Sequence, residues 1–283
     1  SVVRQTAAIL LGEMGPPAAE EPLLRVALGP DPLAGALART ALGRLCAKLP
    51  TAEIRSRLRG VGPAWSGGKA LEGAAPELQR AALEALGWLA GAGTPPVAED
   101  LKEVKPLLAC DDAGIRALAA SVLGALPSPE AATALLERLG AEKDEVVLAE
   151  MLRSLCRLRL TKGIETIEPL ARHGAAPVAL EAAAALKAAG QGGALETILC
   201  FLRADAPSVR RRAAEILGEL KDPFALEDLG GACADPSTEV RLAAVRALGR
   251  IPGAAASGTL RGLLKDADAR VRVEAAVLLV QAN

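Results

Sequence analysis

Along most of the chain, apolar residues recur at intervals of three and four, the spacing that gathers them on one side of an α-helix. In the clearest stretch, Val240, Ala244, Ala247, Leu248 and Ile251 fall at i, i+4, i+7, i+8 and i+11, a wide stripe that must face a core. Ahead of it, Asp235-Pro236-Ser237-Thr238 supplies turn and capping residues, so a helix is expected to start near Ser237. A shorter helix opens at Pro223 and runs through Phe224, Leu226 and Leu229. The unit is a helix pair. Two helices this short cannot bury both apolar faces alone, so neighbouring pairs must complete the core.

The pair repeats. The Leu-Gly of Leu11-Gly12 returns as Leu42-Gly43, Leu86-Gly87, Leu123-Gly124, Leu217-Gly218 and Leu248-Gly249, with Leu155-Cys156, Leu186-Lys187 and Leu279-Val280 in the same place. Successive second positions are separated by 31, 44, 37, 32, 31, 31, 31 and 31 residues. Eight residues earlier stands Arg after Val or Ile, as in Val3-Arg4, Ile115-Arg116, Val209-Arg210, Val240-Arg241 and Val271-Arg272. Ala7, Ala38, Ala82, Ala119, Ala182, Ala213, Ala244 and Ala275 form one column, interrupted by Met151 alone. A recurring glycine costs about 1 kcal/mol of helix propensity, a loss that close helix packing offsets. Both columns are read as packing.

These residues resemble the HEAT-repeat superfamily, particularly the short HEAT-like repeats also found in phycobilin lyases. The carrying segments are Asp205-x-x-x-Val209-Arg210, Asp235 through Val240-Arg241, Asp266 through Val271-Arg272 and Asp111-x-x-x-Ile115-Arg116. The likeness spans nearly the whole chain and weakens between residues 50 and 76. It implies a structural ladder in which Asp205, Asp235, Arg210, Arg241 and Arg272 bridge helix starts in adjacent repeats. An anion-binding row of arginines is the alternative. The expected fold is an all-α, right-handed alpha solenoid of about nine two-helix repeats, a single array over 1–283 whose outermost repeats are incomplete.

The 44-residue step contains a Gly- and Pro-rich insertion at residues 60–76, expected to be a loop. Its Gly67-Gly68-Lys69 fails as a phosphate loop, because Ala70 follows the lysine and Pro63 occupies the place of the first glycine. Trp65 within it either covers the gap between the second and third repeats or contacts a partner.

The strip opposite the buried stripe is Arg212, Glu215 and Glu219. Translation by the repeat gives Leu118/Ser121/Ala125, Glu150/Arg153/Arg157, Glu181/Ala184/Ala188, Ala243/Arg246/Arg250 and Glu274/Val277/Gln281, all expected to be solvated. Earlier repeats place Ile9, Leu37, Trp88 and Leu118 there, whereas later ones are mostly charged, with Arg153 and Arg157 among them. Second helices line the concave side in HEAT-like solenoids, so the resemblance implies an apolar inner patch that meets a protein partner. Burial by irregular packing near the insertion is the alternative reading.

Charge and chemistry narrow the choice. With 33 Lys and Arg against 34 Asp and Glu the chain has a net charge of -1, and it lacks a basic stripe with stacking aromatics, which argues against nucleic acid. No apolar run is long enough to cross a membrane. His173 is the single histidine, so neither a triad nor a two-histidine metal site can be assembled, and the di-iron hydroxylase branch of the superfamily is excluded. Cys46, Cys110, Cys156, Cys200 and Cys233 are scattered without metal spacing and read as buried small hydrophobes in a reducing, cytoplasmic setting. No cofactor is expected. The sequence reads as a non-enzymatic protein-binding scaffold, a piece of a longer protein whose truncated repeats are open to end-to-end self-association. Its rivals are a lyase-like chaperone that attaches a tetrapyrrole to a partner protein and a purely structural spacer.

Overall fold

The structure, a computed structural model, describes residues 76–281 apart from 92–95, 97, 161 and 252–256. Every element within these residues is helical. The chain divides into two compact units, Ser1–Leu158 and Arg159–Asn283.

In the first unit, α1 (Pro76–Gly91) is followed by two helix pairs: α2 (Ala98–Val104) with α3 (Ala113–Gly124), then α4 (Pro129–Leu139) with α5 (Glu145–Leu158). The second unit holds α6 (Ile164–Ile167) with α7 (Ala176–Ala188), α8 (Ala194–Phe201) with α9 (Pro207–Leu220), α10 (Leu226–Ala232) with α11 (Thr238–Arg250), and α12 (Ser257–Leu263) with α13 (Ala269–Gln281). Within each unit the second helix of a pair lies against the second helix of the next: α1 on α3 and α3 on α5, then α9 on α11 and α11 on α13.

Local chemistry sets the boundaries. Asp112 caps α3 by accepting from Ile115 N–H at 3.0 Å, and Ser128 Oγ accepts from Glu130 N–H at 3.2 Å at the start of α4. Proline occupies the first turn of α4, α7 and α9, where its missing N–H has no intrahelical acceptor to lose. The same missing donor divides two first helices: α2 gives way to a 3-10 turn over Lys105–Ala109 at Pro106, and α6 to one over Glu168–Arg172 at Pro169. At α11 the Ser237 hydroxyl makes no capping bond; instead Asp235 Oδ1 accepts from Ser237 N–H at 2.8 Å.

The core is columnar. Ile115, Val147, Val178, Val209, Val240 and Val271 are buried at one position of successive second helices, and Ala119, Met151, Ala182, Ala213, Ala244 and Ala275 at another. In the glycine column Gly124, Gly218 and Gly249 mark close approaches, whereas Gly87 has room for a Cβ. A Cβ on Gly218 would stand 2.6 Å from Ala247 Cα, and one on Gly124 would run into the Ser154 side chain. Those distances leave room for hydrogen only.

Candidate functional site

The second-helix arginines do two jobs at once. Arg210 Nε and Nη2 fork the Asp235 carboxylate at 2.7 and 3.0 Å, while Nη1 turns back to the Ala204 and Asp205 carbonyls, both at 2.8 Å. Arg241 repeats this on Asp266 at 2.8 and 2.9 Å, with Nη1 donating to Asp235 O at 3.0 Å. In the first unit Arg116 forks Glu142 at 2.8 and 2.9 Å and donates to the Cys110 and Asp111 carbonyls, both at 2.9 Å. Arg272 closes its own loop on Asp266 O at 2.7 Å and Ala267 O at 3.0 Å. A planar guanidinium with five donors suits this double role; an ammonium does not.

Each acid is itself held. Asp266 Oδ1 accepts from Asp268 N–H at 2.8 Å, and Glu142 Oε1 from Lys143 and Asp144 N–H, both at 3.0 Å. The Arg210 guanidinium holds the Asp235 carboxyl below the usual range, and Arg241 does the same to Asp266. For Glu142 burial pushes upward, and the Arg116 fork with the two N–H donors overcomes it, leaving the carboxyl at about 2.

The register of the rungs is now visible. The acid stands six residues before the next second-helix arginine position, which gives Cys110, Glu142, His173, Ala204, Asp235 and Asp266. Asp205 is one residue out of this register, and its expected place in the ladder is corrected: its side chain is exposed, and it contributes its carbonyl to Arg210. His173 takes the acid's place in its loop, where Nδ1 accepts from Ala175 N–H at 3.1 Å. Glu142 was missed because it is a glutamate; the six-residue offset is the signal that finds it.

The expected solvated strip is only partly exposed. Glu181, Ala184 and Ala243 are buried. The first strip position lies at the junction between adjacent second helices, as Arg212 shows by reaching Glu181 at 2.7 and 3.3 Å and Glu274 by reaching Arg246 at 3.4 Å. Glu181 is 1% exposed, so Arg212 is its counter-charge in a water-poor setting. The open part of the strip carries Arg157, Glu219, Arg246, Arg250, Val277 and Gln281.

In the first unit, Leu118 is half-buried on α3. Beside it on α5, Glu150 accepts from Arg153 Nη1 at 2.6 Å and from Arg157 Nη2 at 3.4 Å, and Arg157 also donates to Ser154 Oγ at 2.9 Å and to Ser121 O at 3.4 Å. Ile9, Leu37 and Trp65 lie outside the described residues. Trp88 lies in α1, but its side chain is outside them too.

Among the described residues no group of three His, Cys, Asp or Glu is placed to hold a metal ion, and no helix is long and apolar enough to cross a membrane. The cysteines depart from a uniform reading: Cys233 is buried, with its thiol pushed up to about 12 by burial and then by Asp266, whereas Cys110 and Cys156 are half-buried and Cys200 is exposed. Cys200 sits on a short first helix, where one side meets water.

Helix pairs repeated at a near-constant period, with second helices packed on one another and pinned by arginine rungs, define an all-α protein of the alpha-solenoid class. The chain belongs to the HEAT-repeat family: a model described as HEAT repeats matches residues 68–156 and 195–281, more than half its length. No curated protein matches the sequence. The complex of CpcE and CpcF of phycocyanin lyase from Nostoc sp. PCC7120 is similar in fold, with 20% identity, TM-score 0.58, and coverage of 93% of this chain and 94% of that one. A full-length AP-3 complex in an intermediate open conformation, itself a homology model, is similar at 13% identity and TM-score 0.50, covering 99% of this chain and 54% of that chain. An engineered protein matches at 21% identity over 93% of this chain and 78% of that one, with TM-score 0.41.

Proposed function

We propose that this chain is a non-enzymatic scaffold that binds a protein partner along the exposed face of its second helices. The observation that carries the reading is a contrast between columns. The core positions repeat one residue type, as in Val147, Val178, Val209, Val240 and Val271. The positions on the open face change from repeat to repeat, as in Arg157, Glu219, Arg250 and Gln281. A constant backbone that presents a varied row of side chains supplies specificity without reactive groups, and its rigidity keeps the ordering loss on binding small. In the first unit the binding face consists of Leu118 with Arg153 and Arg157, an apolar contact flanked by guanidinium groups that suit an acidic or polar rim.

A second reading, attachment of a tetrapyrrole chromophore to a partner protein, draws on the resemblance of the repeats to those of phycobilin lyases and on the likeness to the phycocyanin lyase complex. One experiment separates the two. The chain is used as bait in a lysate of its source organism, beside a Leu118→Glu, Arg153→Glu, Arg157→Glu variant, and the eluates are analysed by mass spectrometry and absorption spectroscopy. A protein retained by the native chain and lost by the folded variant, with no pigment absorption, supports the scaffold. Pigment in the native eluate places the chromophore reading first, and equal retention by both chains refutes the assigned face.

A further inference from the structure

Within the second unit the junctions between second helices are not alike. The α9/α11 junction has an arginine rung, Arg210 on Asp235, and a backbone approach at Gly218 close enough to exclude a Cβ. The α11/α13 junction has Arg241 on Asp266 and the close approach of Gly249 to Leu278. In the first unit α3/α5 has Arg116 on Glu142 and Gly124 against Ser154.

The α7/α9 junction has none of this. Its two rung positions are Ala179 and Ala204, and its glycine position is Lys187. Two alanines cannot form a rung, and a lysine at the contact point holds the backbones apart. Consistent with that, α9 runs beside α11 over an extended stretch, whereas α7 approaches α9 over a much shorter one.

What spans the gap is side chain to side chain. Glu181 on α7 takes Arg212 of α9 at 2.7 and 3.3 Å, and Lys187 reaches Asp222, just beyond the end of α9, at 2.7 Å. Asp222 is fixed in turn by Phe224 N–H at 3.0 Å. These are long side chains whose bonds are made or broken as units, unlike a glycine-mediated backbone contact. In an array where each helix pair meets only its neighbours, the weakest junction decides where partial opening divides the chain.

We infer that the α7/α9 junction is the yield point of the second unit, a seam keyed by Glu181–Arg212 and Lys187–Asp222 at which α6–α8 opens as a block, α8 going with α7 because it packs more extensively on α7 than on its pair mate α9, while α9–α13 stays closed. It is a conformational device that makes the second unit two cooperative blocks.

Hydrogen exchange followed by mass spectrometry on the full chain tests it. In the native chain, peptides within 176–201 exchange at least tenfold faster than those within 207–250. Installing the missing rung with Ala179→Arg and Ala204→Asp brings the two rates within threefold. Glu181→Ala speeds 176–201 a further tenfold and leaves 207–250 within twofold. A single common rate across 176–250 in the native chain overturns the inference whether or not the variants fold. So does a folded rung variant that leaves the native difference unchanged.

Discussion

Glu142 shows how much one side chain does here. It receives the Arg116 fork, accepts two backbone N–H groups of its own loop, and is buried while doing so. Its carboxyl titrates at about 2 in the folded chain against an ordinary value of 4.5. A depressed carboxyl stabilises the fold fully above its unfolded value, and the contribution drains away as pH falls from about 4.5 to about 2. The expected contribution at neutral pH is on the order of 3 kcal/mol. Glu142→Gln should lower urea-unfolding stability by about that much at pH 7 and by far less at pH 2.5. A constant difference between the two chains at both pH values would show that the fork does not depend on the carboxylate charge. Its arginine, Arg116, was legible from the Ile-Arg signature, and the acid was not, because rung acids vary between Asp and Glu while the offset stays fixed.

The helices were legible to different depths. Second helices announced themselves through the valine, alanine and Leu-Gly columns, since each column is the trace of a packing contact that recurs in most repeats. First helices were legible as present, but not as divided: Pro106 and Pro169 turn their ends into 3-10 segments, an effect of a missing N–H that apolar periodicity does not register. The glycine column carries a prediction at this scale. Alanine ordinarily favours a helix over glycine by about 1 kcal/mol, yet Gly218→Ala would place a Cβ 2.6 Å from Ala247 Cα, so α9 and α11 must separate. Net destabilisation of about 1–3 kcal/mol is expected in urea unfolding. A gain in stability would mean that the two helices are further apart than described.

For the molecule as a whole, the repeat was readable because it is dictated by stacking, and the face was only partly readable because stacking also decides what the face loses. Glu181 and Ala184 look solvated by helical period alone, yet α7 is buried all round and Arg212 reaches over to neutralise Glu181. Period locates the side of a helix; only the neighbour's side chains say whether that side is open. The central claim is that the open remainder of this face binds a protein. The most direct measurement is a calorimetric titration of the captured partner into three chains: the native one, the Leu118→Glu, Arg153→Glu, Arg157→Glu variant, and a control altered at exposed Glu137 on α4. The account predicts at least a hundredfold weaker Kd for the face variant, which loses the Glu150 ion pairs but keeps the helical circular dichroism of the native chain, and native affinity for the control. Native affinity in the face variant, or loss of binding confined to the control, would contradict it.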